Sequence, residues 1–228
     1  MVITREYFDG CGTAHALDLV GSRWALLIVR ELLLGPKRFT DLRAGLPGSS
    51  PTMLAQRLRE LEQTGILRRR ALPPPAASTV YELTEWGAEL EPALLALGRW
   101  AARSPLMPER APLSLDSLVL AMRTMFDPAS AGDLEVAFQL RFGQFEVIAR
   151  VGGGALEIGY GTLDRPDAVV TTSVEALREV IFEGRGLAQA IADGAVLVDG
   201  DLEAVTEFTG CFPLPEPAAL PVNASRRP

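Results

Sequence analysis

Ser49-Ser50-Pro51-Thr52-Met53-Leu54-Ala55-Gln56-Arg57-Leu58-Arg59-Glu60-Leu61-Glu62-Gln63-Thr64-Gly65 carries its own start and stop signals. Ser50 suits a helix N-cap, Pro51 suits a first turn where no intrahelical partner is lost, and Gly65 suits a left-handed stop. Leu54, Leu58 and Leu61 fall at spacings of four and three on one face. Thr52, Gln56, Arg57 and Gln63 are left on the rest of the cylinder. A short helix with an apolar back and a front of hydroxyl, amide and guanidinium groups is what a DNA major groove admits. Gln pairs with adenine edges and Arg with guanine edges. The plain alternative is a surface helix whose polar side faces water, and the flanks bear on the choice.

Upstream, Cys11 to Val20 reads as a helix with Ala14, Leu17 and Val20 on its apolar side, ended by Gly21. Arg23 to Leu34 reads as a second, strongly apolar helix closed by Gly35-Pro36, and a third short helix begins at Phe39 and stops at Leu46-Pro47-Gly48. Two short helices across a Pro/Gly turn, the second polar outside, describe a helix-turn-helix. Downstream, Ile66 to Leu72 and Thr79 to Thr84 are β-prone runs around the stiff tip Pro73-Pro74-Pro75, a hairpin that serves as a wing. Glu85 to Arg103 reads as one longer helix whose Trp86, Leu90, Leu94, Leu97 and Trp100 form a stripe wide enough for a partner helix.

Charge is unevenly spread. The formal net charge is -7, but residues 1 to 103 hold 13 basic against 11 acidic side chains and residues 104 to 228 hold 9 against 18. From Pro36 to Arg70 there are eight basic residues and three acidic ones. Phosphate attraction is screened beyond ~10 Å at ordinary salt, so this local excess outweighs the acidic total. Thr52, Gln56 and Arg57 are therefore the expected base readers, with Ser50, Lys37, Arg38, Arg59, Arg69 and Arg70 at the phosphates.

Cys11, Ala16-Leu17-Asp18-Leu19-Val20-Gly21, Arg23-Trp24, Leu33-Leu34-Gly35-Pro36-Lys37-Arg38-Phe39, Leu42, Ser50-Pro51, Leu54, Arg57-Leu58, Leu61, Gly65-Ile66-Leu67 and Tyr81-Glu82-Leu83-Thr84 together resemble the HxlR-type winged-helix transcriptional regulators, over about residues 8 to 103. Gly12 departs from the pattern, which usually has proline after the cysteine, so a looser opening of the first helix is expected. The resemblance implies a homodimer on pseudo-palindromic double-stranded DNA, with dimer contacts from the first and last helices. It also implies a redox role for Cys11, since some relatives use the equivalent cysteine as an oxidant sensor. The rival reading of Cys11 is a small buried apolar group.

Ser104 to Pro112 holds three prolines in nine residues and reads as a boundary. Beyond it a helix is expected at Leu115 to Met125. Asp133 to Phe142 alternates, with Leu134, Val136, Phe138, Leu140 and Phe142 inward and Glu135, Ala137, Gln139 and Arg141 outward. Strands follow at Phe145 to Val151, Ala155 to Gly159, Asp167 to Thr172 and Ala195 to Asp199, and helices at Ser173 to Glu183, Leu187 to Ala192 and Leu202 to Thr209. Pro166 to Ser173, a helix, and then Ala192 to Asp201 are similar to the end of sterol-carrier-protein-type domains, over about residues 113 to 212. That similarity implies an α+β sandwich with an apolar tunnel for a hydrophobic small-molecule effector; a solid core satisfies the same pattern.

The fold class expected is thus α+β: a winged helix-turn-helix domain over residues 1–104, a sterol-carrier-like domain over 113–212 and a Pro-rich tail over 213–228. No run reaches the ~18 uncharged apolar residues of a membrane span, and Met1 to Asp9 carries Arg5, Glu6 and Asp9 in place of an apolar leader. A cytoplasmic protein without membrane contact is the expectation. Cys11 and His15 share a helix face, but one histidine and two distant cysteines fall short of a metal site. Gly152-Gly153-Gly154 reads as a turn, because no Lys-Ser/Thr follows it. No catalytic residues, metal or cofactor are expected and the chain reads as a non-enzyme. The alternatives to a ligand-gated regulator are a redox-gated one and, more remotely, a lipid carrier without specific DNA binding.

Overall fold

Prolines, glycines and hydroxyl caps decide where the helices begin and end. The computed structural model describes residues 7–74, 77–108 and 111–219, and the chain divides into two compact units, Met1–Leu94 and Leu95–Pro228. Pro75 and Ala76 of the expected hairpin tip, Glu109 and Arg110 of the expected boundary, and the tail from residue 220 lie outside the described residues.

The first unit runs α1 (Gly12–Val20), α2 (Ala25–Leu32), α3 (Phe39–Gly45), α4 (Pro51–Gln63), β1 (Leu67–Ala71), β2 (Thr79–Leu83), α5 (Glu85–Ala88) and the start of α6 (Glu91–Ala102). Its core joins Ile28, Val29 and Leu32 of α2 to Leu42 and Leu46, to Leu54, Leu58 and Leu61 of α4, and to Ile66 and Leu67. Each fully buried aliphatic of this kind contributes about 1.5 to 3 kcal/mol. The strands pair antiparallel with Arg68 opposite Glu82. Lys37 adds a third chain, its N–H donating to the Tyr81 carbonyl at 2.9 Å and its carbonyl accepting from the Tyr81 N–H at 2.8 Å.

Three details differ from the sequence reading. α2 opens only at Ala25, because Trp24 takes a left-handed backbone with φ of 77°. α1 opens at Gly12 itself despite the missing proline. The expected helix from Glu85 to Arg103 is two: α5 is capped by the Thr84 hydroxyl, which accepts from the Gly87 N–H at 3.0 Å, and α6 begins one residue before Pro92. Pro92 has no N–H to donate to the carbonyl four residues earlier, at Ala88, and the helix is interrupted at Glu89 and Leu90.

The second unit contains α7 (Leu115–Met125), α8 (Pro128–Ala131), β3 (Val136–Phe142), β4 (Phe145–Gly152), β5 (Ala155–Tyr160), β6 (Ala168–Thr172), α9 (Val174–Phe182), α10 (Leu187–Ala192), β7 (Val196–Gly200) and α11 (Leu202–Thr209). The sheet order is β5-β4-β3-β6-β7, with β3 and β6 parallel and every other pair antiparallel. Phe138, Leu140, Val147, Ala149 and Val170 of the sheet are buried, as are Leu118 and Met122 of α7, Leu177 of α9 and Phe208 of α11. Phe208 stands edge-on to Phe138 and to Phe212, both at 5.1 Å between centroids. Gly152-Gly153-Gly154 forms the β4–β5 turn, with positive φ at Gly153 and Gly154.

The alternation in β3 fails at Gln139, expected outward and in fact buried. Strand β4 and the connection from β5 to β6 supply its partners. The amide Nε2 donates to the carbonyls of Val147 and Gly161, each at 3.1 Å, and Oε1 accepts from the Leu163 N–H at 2.8 Å. A buried amide with both ends satisfied costs little.

Candidate nucleic-acid interface

The Ser50 hydroxyl accepts from the Met53 N–H at 3.2 Å and caps α4 as its sequence dictates. With Leu54, Leu58 and Leu61 buried, the outermost stripe of the helix is Thr52, Gln56, Arg59 and Gln63, all exposed. Arg59, read from sequence as a phosphate contact, thus shares a face with the two expected base readers. Behind the N-terminus of α4, Gly48 abuts the Trp24 indole so closely that a Cβ there would lie 2.9 Å from it. Arg23 lies over the same ring at 5.2 Å.

Arg57 is placed differently from Gln56. Its side chain is only 13% exposed. Nη1 donates to Glu60 Oε2, Nη2 lies 3.7 Å from Met53 Sδ, and Gln56 Nε2 donates to the other Glu60 oxygen at 3.0 Å. One carboxylate on the helix therefore holds two of the three side chains expected to read bases. The spacing of three between Arg57 and Glu60 is the signal that sequence reasoning passed over.

The hairpin presents its arginines on both faces. Arg68 and Arg70 each donate through Nε to Glu82 at 2.8 Å, and Arg69 on the opposite face donates through Nε to Glu62 of α4 at 2.8 Å, tying the wing to the helix. The hydrogen bonds from Arg70 and then Arg68 hold the Glu82 carboxyl below its ordinary range, and Glu62 raises Arg69. All three side chains remain about half or more exposed, at 67%, 53% and 46% in sequence order. A guanidinium with one nitrogen on a carboxylate keeps other N–H donors with which it can meet a phosphate.

Two other expected phosphate ligands separate. Arg38 is exposed at the start of α3, where its N–H donates to Asp41 at 3.2 Å. Lys37 is turned inward: its ammonium donates at 2.8 Å to Glu31, a fully buried carboxylate that also accepts from Arg30 at 2.8 Å. Its place in the sheet and its ion pair give Lys37 a structural occupation, which its position beside Arg38 in the sequence does not reveal.

Cys11 is exposed at the N-cap of α1, and Cys211 is buried. The amides of Ala14 and then Thr13 lower the Cys11 thiol, and burial raises that of Cys211. Among the described residues no three His, Cys, Asp or Glu side chains gather as a metal site. In the second unit an open concavity of about 530 Å³ is lined by both apolar and charged side chains, among them Val136, Leu156, Glu135 and Arg150.

A family model described as HxlR-like helix-turn-helix matches residues 19–107, and one described as alkyl sulfatase C-terminal matches residues 110–218. The uncharacterized HTH-type transcriptional regulator YvaP of Bacillus subtilis is 40% identical over 86 residues, which is 38% of this chain and 80% of that protein. The HTH-type transcriptional regulator YodB of the same organism is 42% identical over 86 residues, 38% of this chain and 77% of that protein. The solved reduced form of YodB is similar at 36% identity and a TM-score of 0.39, covering 44% of this chain and 100% of that one.

Proposed function

We propose, from the premise that this chain belongs to the HxlR-like helix-turn-helix family of DNA-binding transcriptional regulators, that it is a homodimer whose two α4 helices enter successive major grooves of a pseudo-palindromic operator. The observation that carries this is the exposed stripe of Thr52, Gln56 and Arg59 on a capped helix tied directly to an arginine-bearing hairpin. Residues near a recognition helix N-terminus meet base edges, so Thr52, Gln56 and Arg57 read sequence. Arg59 lies further along, where the groove wall rises, and holds phosphate together with Ser50, Arg38, Arg69 and Arg70. A duplex selected from a random library against the wild-type protein supplies the probe. Arg57→Ala should relax sequence preference and cost about 1 to 3 kcal/mol on that duplex. Arg70→Ala should weaken all duplexes alike and flatten the salt slope by about one unit. Unchanged affinity and preference in Arg57→Ala would remove its assignment.

Operator binding is modulated by an apolar small molecule held by the second unit. Support comes from the likeness of residues 110–218 to a segment of enzymes named for alkyl compounds. Phe138, Phe208 and Phe212 fill the space beside the sheet, so such a ligand must displace aromatic side chains to enter. Alkyl compounds that raise the melting temperature should also change operator affinity; a melting shift without that change points instead to a carrier.

The exposure of Cys11 at a helix start favours a second, redox-gated reading. Because its pKa is lowered, the thiolate persists to lower pH, and the midpoint of its alkylation rate should fall below that of the same cysteine in a short unfolded peptide of this chain. Peroxide should alter operator binding in the wild type and leave Cys11→Ser unaffected. Equal responses in both would exclude Cys11 as the sensor.

A further inference from the structure

We propose that Glu60 is a specificity-determining residue: a latch that holds Gln56 and Arg57 on the helix and yields them only to base edges. Resting on the reading of α4 as the recognition helix, this adds a residue with no base contact of its own. Met53, Gln56, Arg57 and Glu60 form neighbouring pairs at spacings of three and four on α4. Glu60 accepts from Gln56 Nε2 through one oxygen and from Arg57 Nη1 through the other, so both of its oxygens are engaged. The Arg57 guanidinium is held mostly out of solvent against Met53, with its Nε buried and unpartnered.

The consequence for binding is an exchange. A guanine edge offers two acceptors in the fork geometry of a guanidinium, and an adenine edge matches the amide of Gln, so a cognate sequence replaces what Glu60 provides. A non-cognate duplex offers only phosphate at the groove wall and cannot replace it. It also meets a carboxylate that is 37% exposed and carries the sign of the DNA itself. The latch thus penalises wrong sequences more than right ones, the general route by which specificity exceeds affinity.

The test is Glu60→Gln in the full-length protein, which keeps side-chain size and helix propensity while removing the charge. Two duplexes are titrated over a salt series: the selected one and a scrambled sequence of the same composition. Affinity for the scrambled duplex should rise about tenfold, with a smaller rise for the selected one, so their ratio falls, and the salt slope on the scrambled duplex should steepen by about one unit as Arg57 is released to phosphate. A merely structural role would lower both affinities together and leave the slope alone. An unchanged ratio, or an equal rise on both duplexes, overturns the latch while the wild-type preference for the selected duplex still stands. If the wild type itself prefers no duplex, the reading of α4 fails first. Glu60→Ala, compared by thermal melting, checks that altered binding does not follow from lost folding.

Discussion

At the scale of single residues, the buried Glu31 ties together Arg30, Lys37 and the end of α3. It is fully buried and accepts at 2.8 Å from both Arg30 and Lys37. Gly45 at the end of α3 lies so near that a Cβ there would collide with its Oε2. Removing one partner of a buried ion pair is costly because the others stay behind uncompensated. Glu31→Gln should therefore lower the stability of this unit by about 3 kcal/mol in urea unfolding, with the loss read from the shift in midpoint at constant slope. A change below a few tenths of a kcal/mol would show that Arg30 and Lys37 find water instead. None of this was legible in the sequence, where Glu31 interrupts an apolar run and Lys37 looks like part of a basic cluster. The pairing depends on how α2 and the wing meet, which no local pattern encodes.

At the scale of elements, much was legible because the signals were local. The bounds of α4 follow from Ser50, Pro51 and Gly65, and those of β1 and β2 from proline-rich residues between two β-prone runs. What escaped was set by distant contacts. Gln139 is buried because residues 161 and 163 return to it, and the left-handed Trp24 shortens α2 to fit the indole against Gly48. The pairing of Arg57 with Glu60 could have been read from spacing alone. The contact of Gly48 with Trp24 makes the turn between α3 and α4 a tuned joint. Gly48→Ala places a methyl group against the edge of the ring, so either the Trp24 ring or the N-terminus of α4 must give way. We expect about a tenfold or larger loss of operator affinity with a stability change of about 1 kcal/mol, measured by titration of the selected duplex and by melting. Full affinity would show that the ring yields and the helix does not.

At the scale of the whole molecule, the arrangement of charge and apolar surface bears on assembly. The half after residue 103 holds 18 acidic against 9 basic residues, so its field opposes DNA and leaves the first unit to bind. Among the described residues, no helix is long and apolar enough to cross a membrane. In the first unit Tyr7, Phe8 and Leu17 are exposed around α1, and in the second the α6 residues Leu97 and Trp100 are exposed, Trp100 by 74%. Large apolar side chains gathered on such surfaces call for a partner, and the proposed homodimer supplies one. Leu17→Glu and Trp100→Glu should each weaken self-association by about 2 kcal/mol or more, seen as a shift from dimer to monomer in sedimentation at micromolar protein. A wild-type chain that sediments as a monomer would remove the two-fold reading of the operator.

The parallel pairing of β3 with β6 has a consequence for how the chain is made. β3, β4 and β5 are joined by tight turns and can zip together as soon as they leave the ribosome, but the other side of β3 stays open until β6 returns along it. Until then one edge of β3 is unpaired, and Gln139 has its Val147 partner on β4 but not those at Gly161 and Leu163. Closing so long a loop is slow, and bare ribbons pair with one another. The docking of β6 on β3 is therefore the step before which an unfinished chain offers an open sheet edge to another copy.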